Sequence, residues 1–501
     1  MSAFGKARSC GYPIGASLCA SVFFFAIPTA NAAVSADFGS PSTFTTGTNP
    51  VSVALGDLNS DGDLDMVSAN AGSNNASVLL GAGNGSFGAK NDFAVGTSPK
   101  GVALGDMNGD GIADIVAVNS GSNNVSVLLG TGDGTFGAPQ NFATAPNAEA
   151  VVVADLNGDG NLDIAAAGKY SVGLSSASKM SVLIADGSGG FDPHVDYTPG
   201  AQPSSVQAAD VTGDGILDLV TANRFGGDIS MFAGTGGGAF SAPASIPMGY
   251  GTTPNSVAVG DLNEDGNADL VTANGSGTVA TLINVGDGTF GPPTFRPAGT
   301  TTDSVALGDV NGDGNLDAVA ANTGDTNINV LLGNGSGDLA TANPFDSGHI
   351  NYSDALGDLN GDGKLDVALA QGNGNQTARL LNTSAYTPKV SVAPPSGATS
   401  GGTEFTVTGT NFTGATKIKF GSASATNVNV VSDTKITGRT PAGTDGSVTV
   451  SVQTPIVSVS TASAFRYDGT LQSLPAKTVP KKLRNPGRTV VNPAGSATRQ
   501  G

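Results

Sequence analysis

The chain has 501 residues, 74 glycines, no tryptophan and a formal net charge of −19. Such a length is expected to hold more than one domain and a large core. All 41 acidic residues, but only 14 of the 22 lysines and arginines, lie between residues 33 and 468. This balance argues against a nucleic-acid partner, because phosphate recognition needs a basic surface.

Residues 1–32 read as a secretory signal peptide. Lys6 and Arg8 supply the positive start, Leu18–Ile27 the apolar run, and Ala30-Asn31-Ala32 a cleavage signal with the cut after Ala32. The run is too short to span a membrane, which takes about 20 apolar residues. The protein is therefore expected to be secreted or held at the cell surface, without a membrane span. Cys10 and Cys19 both fall in this segment, so the processed chain carries no disulfide and no cysteine ligand.

Residues 33–385 are an array. The stretch D-x-[NT]-x-D-G-x-x-D occurs seven times, with starts 49, 49, 55, 51, 48 and 49 residues apart. A period near fifty marks a repeated supersecondary unit. Oxygen-bearing side chains recur at positions 1, 3, 5 and 9, and the carbonyl of position 7 is expected to join them. The first copy supplies Asp57, Asn59, Asp61, Asp63 and Asp65; the second supplies Asp106, Asn108, Asp110, Ile112 and Asp114. The third has Asp155, Asn157, Asp159, Asn161 and Asp163; the fourth has Asp210, Thr212, Asp214, Ile216 and Asp218. The fifth has Asp261, Asn263, Asp265, Asn267 and Asp269, and the sixth Asp309, Asn311, Asp313, Asn315 and Asp317. Asp358, Asn360, Asp362, Lys364 and Asp366 complete the set.

Three carboxylates in one tight loop repel each other unless a cation lies between them. Hard oxygen donors without His or Cys suit Ca²⁺, so up to seven calcium sites are expected. Position 12, an acid in EF-hands, is Ser68, Ala117, Ala166, Thr221, Thr272, Ala320 or Leu369, which leaves position 9 to do that work. The competing reading is a set of Asn/Asp/Gly turns without metal. Turn propensity alone does not explain Asp at positions 1, 5 and 9 in every copy. Thr212 in place of Asn is expected to weaken the fourth site. Short β-branched runs flank each loop, such as Ile115-Val-Ala-Val118, so the loop is expected to join two strands of a hairpin.

A second signal recurs 19 residues ahead of the next loop. It is Phe87-Gly, Phe136-Gly, Phe191-Asp and Phe290-Gly, with Leu339 in the aromatic's place before the seventh loop and Phe240-Ser at a spacing of 21. Each unit then reads as four strands, beginning with a Phe-Gly strand, the size of a propeller blade. Phe38-Gly also precedes Asp57 by 19 residues, whereas no such segment follows the last strand near Thr377–Asn382. The start of the array is thus expected to complete the seventh blade and remove an open edge.

D-x-N-x-D-G-x-x-D with Phe-Gly-x-Pro resembles the FG-GAP (VCBS-type) repeats of the integrin α-subunit propeller and its bacterial relatives. The resemblance implies an all-β fold, a seven-bladed β-propeller with a Ca²⁺ loop in a blade hairpin. Its relatives include adhesion modules and lectins. Residues 386–468 differ: Gly401-Gly-Thr-Glu-Phe-Thr-Val-Thr-Gly-Thr-Asn-Phe412, Phe420-Gly421 and Thr440-Pro441 resemble the IPT/TIG domain. This implies an Ig-like β-sandwich, which the alternating run Ser447–Val452 supports independently. Residues 469–501 hold six basic residues and no acid and read as a disordered tail.

No nucleophile elbow, zinc helix or phosphate loop is recognisable, and the two histidines, His194 and His349, belong to no catalytic constellation. Asn70, Asn119, Asn223, Asn274 and Asn322, which end the second strands, are candidates for a polar ligand face or for simple turns. The preferred reading is a calcium-binding adhesion or recognition module for an extracellular glycan or protein. The alternative is a secreted polysaccharide-degrading enzyme built on a propeller.

Overall fold

The computed structural model describes residues 35–168, 178–249, 251–385, 390–409, 412, 415–432, 435–454 and 458–469. The expected signal peptide lies outside the described residues, as does the expected basic tail beyond Gly469.

Among the described residues, seven antiparallel four-stranded sheets form the first part of the chain. In the first, Pro50–Gly56 is innermost, followed outward by Asp65–Asn70, Asn75–Leu79 and Asn91–Ala94. The other innermost strands are Pro99–Gly105, Ala148–Ala154, Pro203–Ala209, Pro254–Gly260, Thr302–Gly308 and Ser353–Gly357. Each lies beside the next, and Ser353–Gly357 lies beside Pro50–Gly56, so the sheets close a ring of seven blades. Every second strand, such as Asp114–Asn119, is buried at all six positions. A neighbouring blade covers each of its faces, which is why it reads as a continuous apolar run rather than an alternating one.

The seventh blade takes its outer strand from the start of the array. Ser42–Thr45 pairs antiparallel with Gln376–Leu380, Ser42 opposite Arg379 and Thr45 opposite Gln376. Phe38 bridges Asn382, and the Gly39 amide donates to the Leu381 carbonyl at 2.8 Å.

The Phe-Gly segments are not themselves the outer strands. Phe87, Phe136, Phe191 and Phe290 make single bridges to Gly81, Gly130, Ala185 and Asn284, and the outer strand starts a few residues later. The aromatic has a different use: in five blades it packs edge-on against a ring on the outer strand of the preceding blade. Phe87 meets Phe44 at 5.0 Å, Phe136 meets Phe93 at 5.1 Å, Phe191 meets Phe142 at 4.9 Å and Phe240 meets Tyr197 at 5.6 Å. Phe38 meets Phe345 in the same way across the closing seam, at 5.3 Å. Such pairs add about 0.5–1.5 kcal/mol beyond area burial. Where Leu339 replaces the ring, Arg296 spans the seam, donating to the Leu339 carbonyl at 2.9 Å and to both Asp338 oxygens at 2.5 and 2.7 Å.

The second part is a β-sandwich. One sheet orders Ser391–Ala393, Glu404–Thr408, Lys435–Arg439 and Thr426–Ser432; the other orders Ser396–Ala398, Ser458–Asp468, Gly446–Gln453, Lys417–Phe420 and Ala423–Ser424. Phe405, Phe420, Phe465 and Tyr467 form a run of ring contacts between the sheets at 5.0–5.2 Å. The Tyr467 hydroxyl, buried at the end of that run, donates to the Pro441 carbonyl at 2.8 Å. Among the described residues no helix is long and apolar enough to cross a membrane.

Candidate metal centres

Each Asp loop joins the innermost strand of a blade to its second strand, as Asp57–Asp65 joins Pro50–Gly56 to Asp65–Asn70. The glycine at position 6 is needed: Gly62, Gly111 and Gly160 have φ of 92°, 85° and 92°, a region costly for residues with a Cβ. The loop is built on its own amides. The position-1 carboxylate accepts from the amides of positions 5 and 6, as Asp57 does from Asp61 at 3.2 Å and Gly62 at 3.0 Å. The position-5 carboxylate accepts from the amide of position 7, as Asp61 does from Asp63 at 2.9 Å. Asn59 accepts from the Asp61 amide at 3.1 Å and donates to Asp61 Oδ2 at 2.8 Å.

Position 9 differs from the rest. Asp65, Asp114, Asp163, Asp218, Asp269, Asp317 and Asp366 are fully buried. One oxygen of each accepts from the position-2 amide at 2.8–2.9 Å. The other accepts from an amide at the far turn of the same blade at 2.6–2.8 Å. That turn reaches the preceding blade in its turn. Gly134 donates to the Leu58 carbonyl at 3.2 Å, Gly337 to Leu262 at 3.1 Å and Gly85 to Leu359 at 2.7 Å. Asn284 Nδ2 donates to Val211 at 2.7 Å, and Asn382 Nδ2 to Val310 at 2.8 Å. Position 9 thus ties its loop to a turn, and the turn ties that blade to the loop of its neighbour.

The electrostatics are those of uncompensated negative charge. Burial first, and then the carboxylates at positions 1 and 5, raise Asp65 and Asp269 to about 6 and Asp366 to about 7. Bonds from the backbone amides act against the rise and do not cancel it. Asp309, at position 1 of the sixth loop, is raised to about 6, again chiefly by burial. The donors are hard oxygens throughout, and the chemistry of this set fits a divalent cation such as Ca²⁺. In the fourth loop Thr212 Oγ1 is buried without a hydrogen-bond partner, a free donor atom for the same purpose. Among the described residues no three His, Cys, Asp or Glu side chains converge into a finished cage, because the loop oxygens are turned to loop amides. In the seventh loop Lys364 Nζ stands 3.7 Å from Asp362 Oδ2, where the other loops have Asp, Asn or Ile at position 7.

The asparagines at the ends of the second strands do not form a ligand face. All five are fully buried. Asn70 Nδ2 donates to Asn75 Oδ1 at 3.0 Å and Ser77 Oγ at 2.8 Å, and Asn223 Nδ2 to Asp228 Oδ1 at 3.0 Å and Ser230 Oγ at 2.8 Å. These amides close the hairpin to the third strand, a role that turn propensity does not reveal. His194 Nδ1 lies 2.9 Å from Asp196 Oδ1, and His349 is exposed. A cavity of about 570 Å³ separates the first and seventh loops from the sandwich, with Asp57, Asp63 and Asp358 facing Thr416 and Gln453.

Comparison with known proteins agrees with this architecture. A model described as an FG-GAP-like repeat matches residues 57–117, 106–166, 210–272, 261–320 and 309–369, and an IPT/TIG domain model matches residues 389–467. Each repeat match starts at position 1 of an Asp loop and runs through the following one. No curated protein matches the chain. Similar solved structures include two titled as crystal structures of BBS1N in complex with ARL6DN, one soaked with mercury and one with lead. Both are 10% identical with a TM-score of 0.49; they cover 71% and 70% of this chain and 99% and 98% of those chains. The repeat matches together span more than half of the sequence, and the chain belongs to the FG-GAP-like repeat family.

Proposed function

We propose that the protein is an extracellular recognition module, a calcium-stiffened propeller that presents a surface to a glycan or protein ligand. The observation that carries this reading is the linkage from loop to loop. Position 9 binds its own blade's far turn, and that turn binds the preceding loop, as Asp366, Asn382 and Val310 do. Bound Ca²⁺ would supply positive charge between the carboxylates and oppose their repulsion. The side chains of positions 1, 3, 5 and 9 and the carbonyl of position 7 would hold it. Asp65 and its equivalents would then hold the loop and the turn in one orientation, and the ring would present a rigid face. Extracellular calcium modules typically bind with Kd of roughly 10⁻⁴–10⁻³ M, which matches a secreted chain without disulfides. A propeller joined to an Ig-like sandwich is a common plan for non-enzymatic recognition.

Calorimetric titration of the chelated full chain with Ca²⁺ is expected to show several sites, and the thermal midpoint is expected to rise on loading. A glycan array read with and without EDTA, beside a reducing-sugar assay, tests the ligand class. No calcium uptake and no thermal gain would refute the stiffening role; turnover of a polysaccharide would refute recognition without catalysis.

A further inference from the structure

The seven innermost strands line a central channel of about 430 Å³. Three residues before the last residue of the strand stands Val53, Val102, Val151, Val206, Val257 or Val305 in six blades and Asp354 in the seventh. Three serines of the wall are paired to the next blade. Ser52 Oγ accepts the Val102 amide at 3.2 Å, Ser205 Oγ the Val257 amide at 3.3 Å, and Ser353 Oγ the Val53 amide at 3.4 Å.

Asp354 is 8% exposed, and neither carboxylate oxygen has a hydrogen-bond partner. The Ser304 hydroxyl and the Ala306 amide, on the innermost strand of the sixth blade, stand near enough to favour its charge without closing a bond. Asn255 is 6% exposed. Its Nδ2 donates to the Thr302 carbonyl at 3.0 Å and to Asp303 Oδ1 at 2.6 Å, which sets the amide's orientation and leaves its Oδ1 buried and unpaired. Both residues line the channel, and both lean on the same strand, Thr302–Gly308. Lys100 lines the channel too, yet forms no bond to Asp354. Buried polar atoms in folded proteins are mostly paired, so the two free carboxylate oxygens of Asp354 call for a donor. A cationic N–H group suits the place best, because the free atoms are acceptors and belong to a carboxylate, and charge-assisted hydrogen bonds are the stronger ones. A neutral sugar would bring hydroxyl donors but no charge to set against the carboxylate.

We propose that the central channel is a second ligand site that takes a small organic cation, its ammonium or guanidinium group bound by the Asp354 carboxylate against the innermost strand of the sixth blade. The site uses none of the Asp loops and does not depend on calcium.

The test is calorimetric titration of the full chain at pH 8, in calcium and again in EDTA. Putrescine, methylammonium and guanidinium chloride are the probes, with glucose and sodium chloride as controls. One saturable site for at least one nitrogen cation is expected in both conditions. Asp354→Val is expected to lose at least ~10-fold in affinity, tenfold being the smallest change clearly read as a lost charged contact. Because valine fills this place in six blades, that variant is expected to fold with an unreduced thermal midpoint. Asp354→Asn, which keeps the shape without the charge, is expected to bind more weakly as well, and decides the matter should the valine variant not fold. The proposal is overturned by absence of amine binding, by unchanged affinity in either folded variant, by glucose binding as well as the amines, or by loss of binding in EDTA.

Discussion

The seventh blade follows the same four-strand plan as the other six but is assembled from both ends of the array. An inner blade such as the second takes Pro99–Gly105 to Gln140–Ala143 from one continuous segment. The seventh takes three strands from residues 353–380 and its outer strand from Ser42–Thr45. It also carries departures from the repeat. Asp354 stands in the valine position, and Gln371 stands where five blades have asparagine, donating to the Ser347 carbonyl at 2.8 Å and Asn351 Oδ1 at 3.0 Å. Positions that repeat are those each blade needs in order to meet its neighbours. Positions that change mark what the closing blade does in addition.

The comparison is broken most completely by removing the closing strand. Deletion of residues 33–47 is expected to abolish the cooperative thermal transition of the ring, since Phe38 and Phe44 leave their ring partners and the Gln376–Leu380 edge is bared. Phe38→Ala is expected to cost about 3–5 kcal/mol, and Phe44→Ala, at a half-buried ring, less. An unchanged melting curve for the deletion, followed by circular dichroism, would show that closure does not stabilise the ring.

The next largest effect is expected at Asp354. Burial raises its carboxyl from 3.8 to about 7. The unfolded chain releases this proton near pH 4 and the native blade near pH 7, so the native state binds more protons across that window. Stability therefore falls as pH rises through it. The full loss is on the order of 4 kcal/mol, at about 1.36 kcal/mol per pH unit of difference. Asp354→Val is expected to remove it, so that urea midpoints of variant and parent nearly agree at pH 4 and separate by pH 8. Parallel pH profiles would place the carboxylate in better company than the structure gives it.

The smallest contrast sharpens the comparison. Asp163→Asn and Asp366→Asn each set an NH₂ group against a backbone amide and are expected to cost about 1–3 kcal/mol. The loss should be greater at Asp366, because the Asn382 amide it holds at 2.6 Å belongs to the residue that bridges Phe38. Equal losses in chemical denaturation would mean that the closing seam bears no special load.

Much of this molecule was legible along the chain. The fifty-residue period, the Asp loop between two strands, the spare segment at Phe38 and the sandwich pattern after residue 386 all depend on neighbours in sequence. A hydrophobic run, a turn glycine or a repeat spacing carries its meaning locally. The role of the Phe-Gly aromatic was not legible, because its partner lies on the blade before it. The hairpin asparagines look like turn residues until burial shows the amides they serve. Position 9 was expected to face a metal, and its second use, holding a turn some sixteen residues on, appears only once the sheet is folded. Asp354 could have been noticed by aligning the innermost strands on their valines. Its lack of a partner could not, since the channel wall is assembled from seven segments about fifty residues apart. The sequence by itself determined the single blade, because a blade is made by local pattern. Only the tertiary structure decided what blades do to one another, because ring closure brings together residues that no local pattern relates.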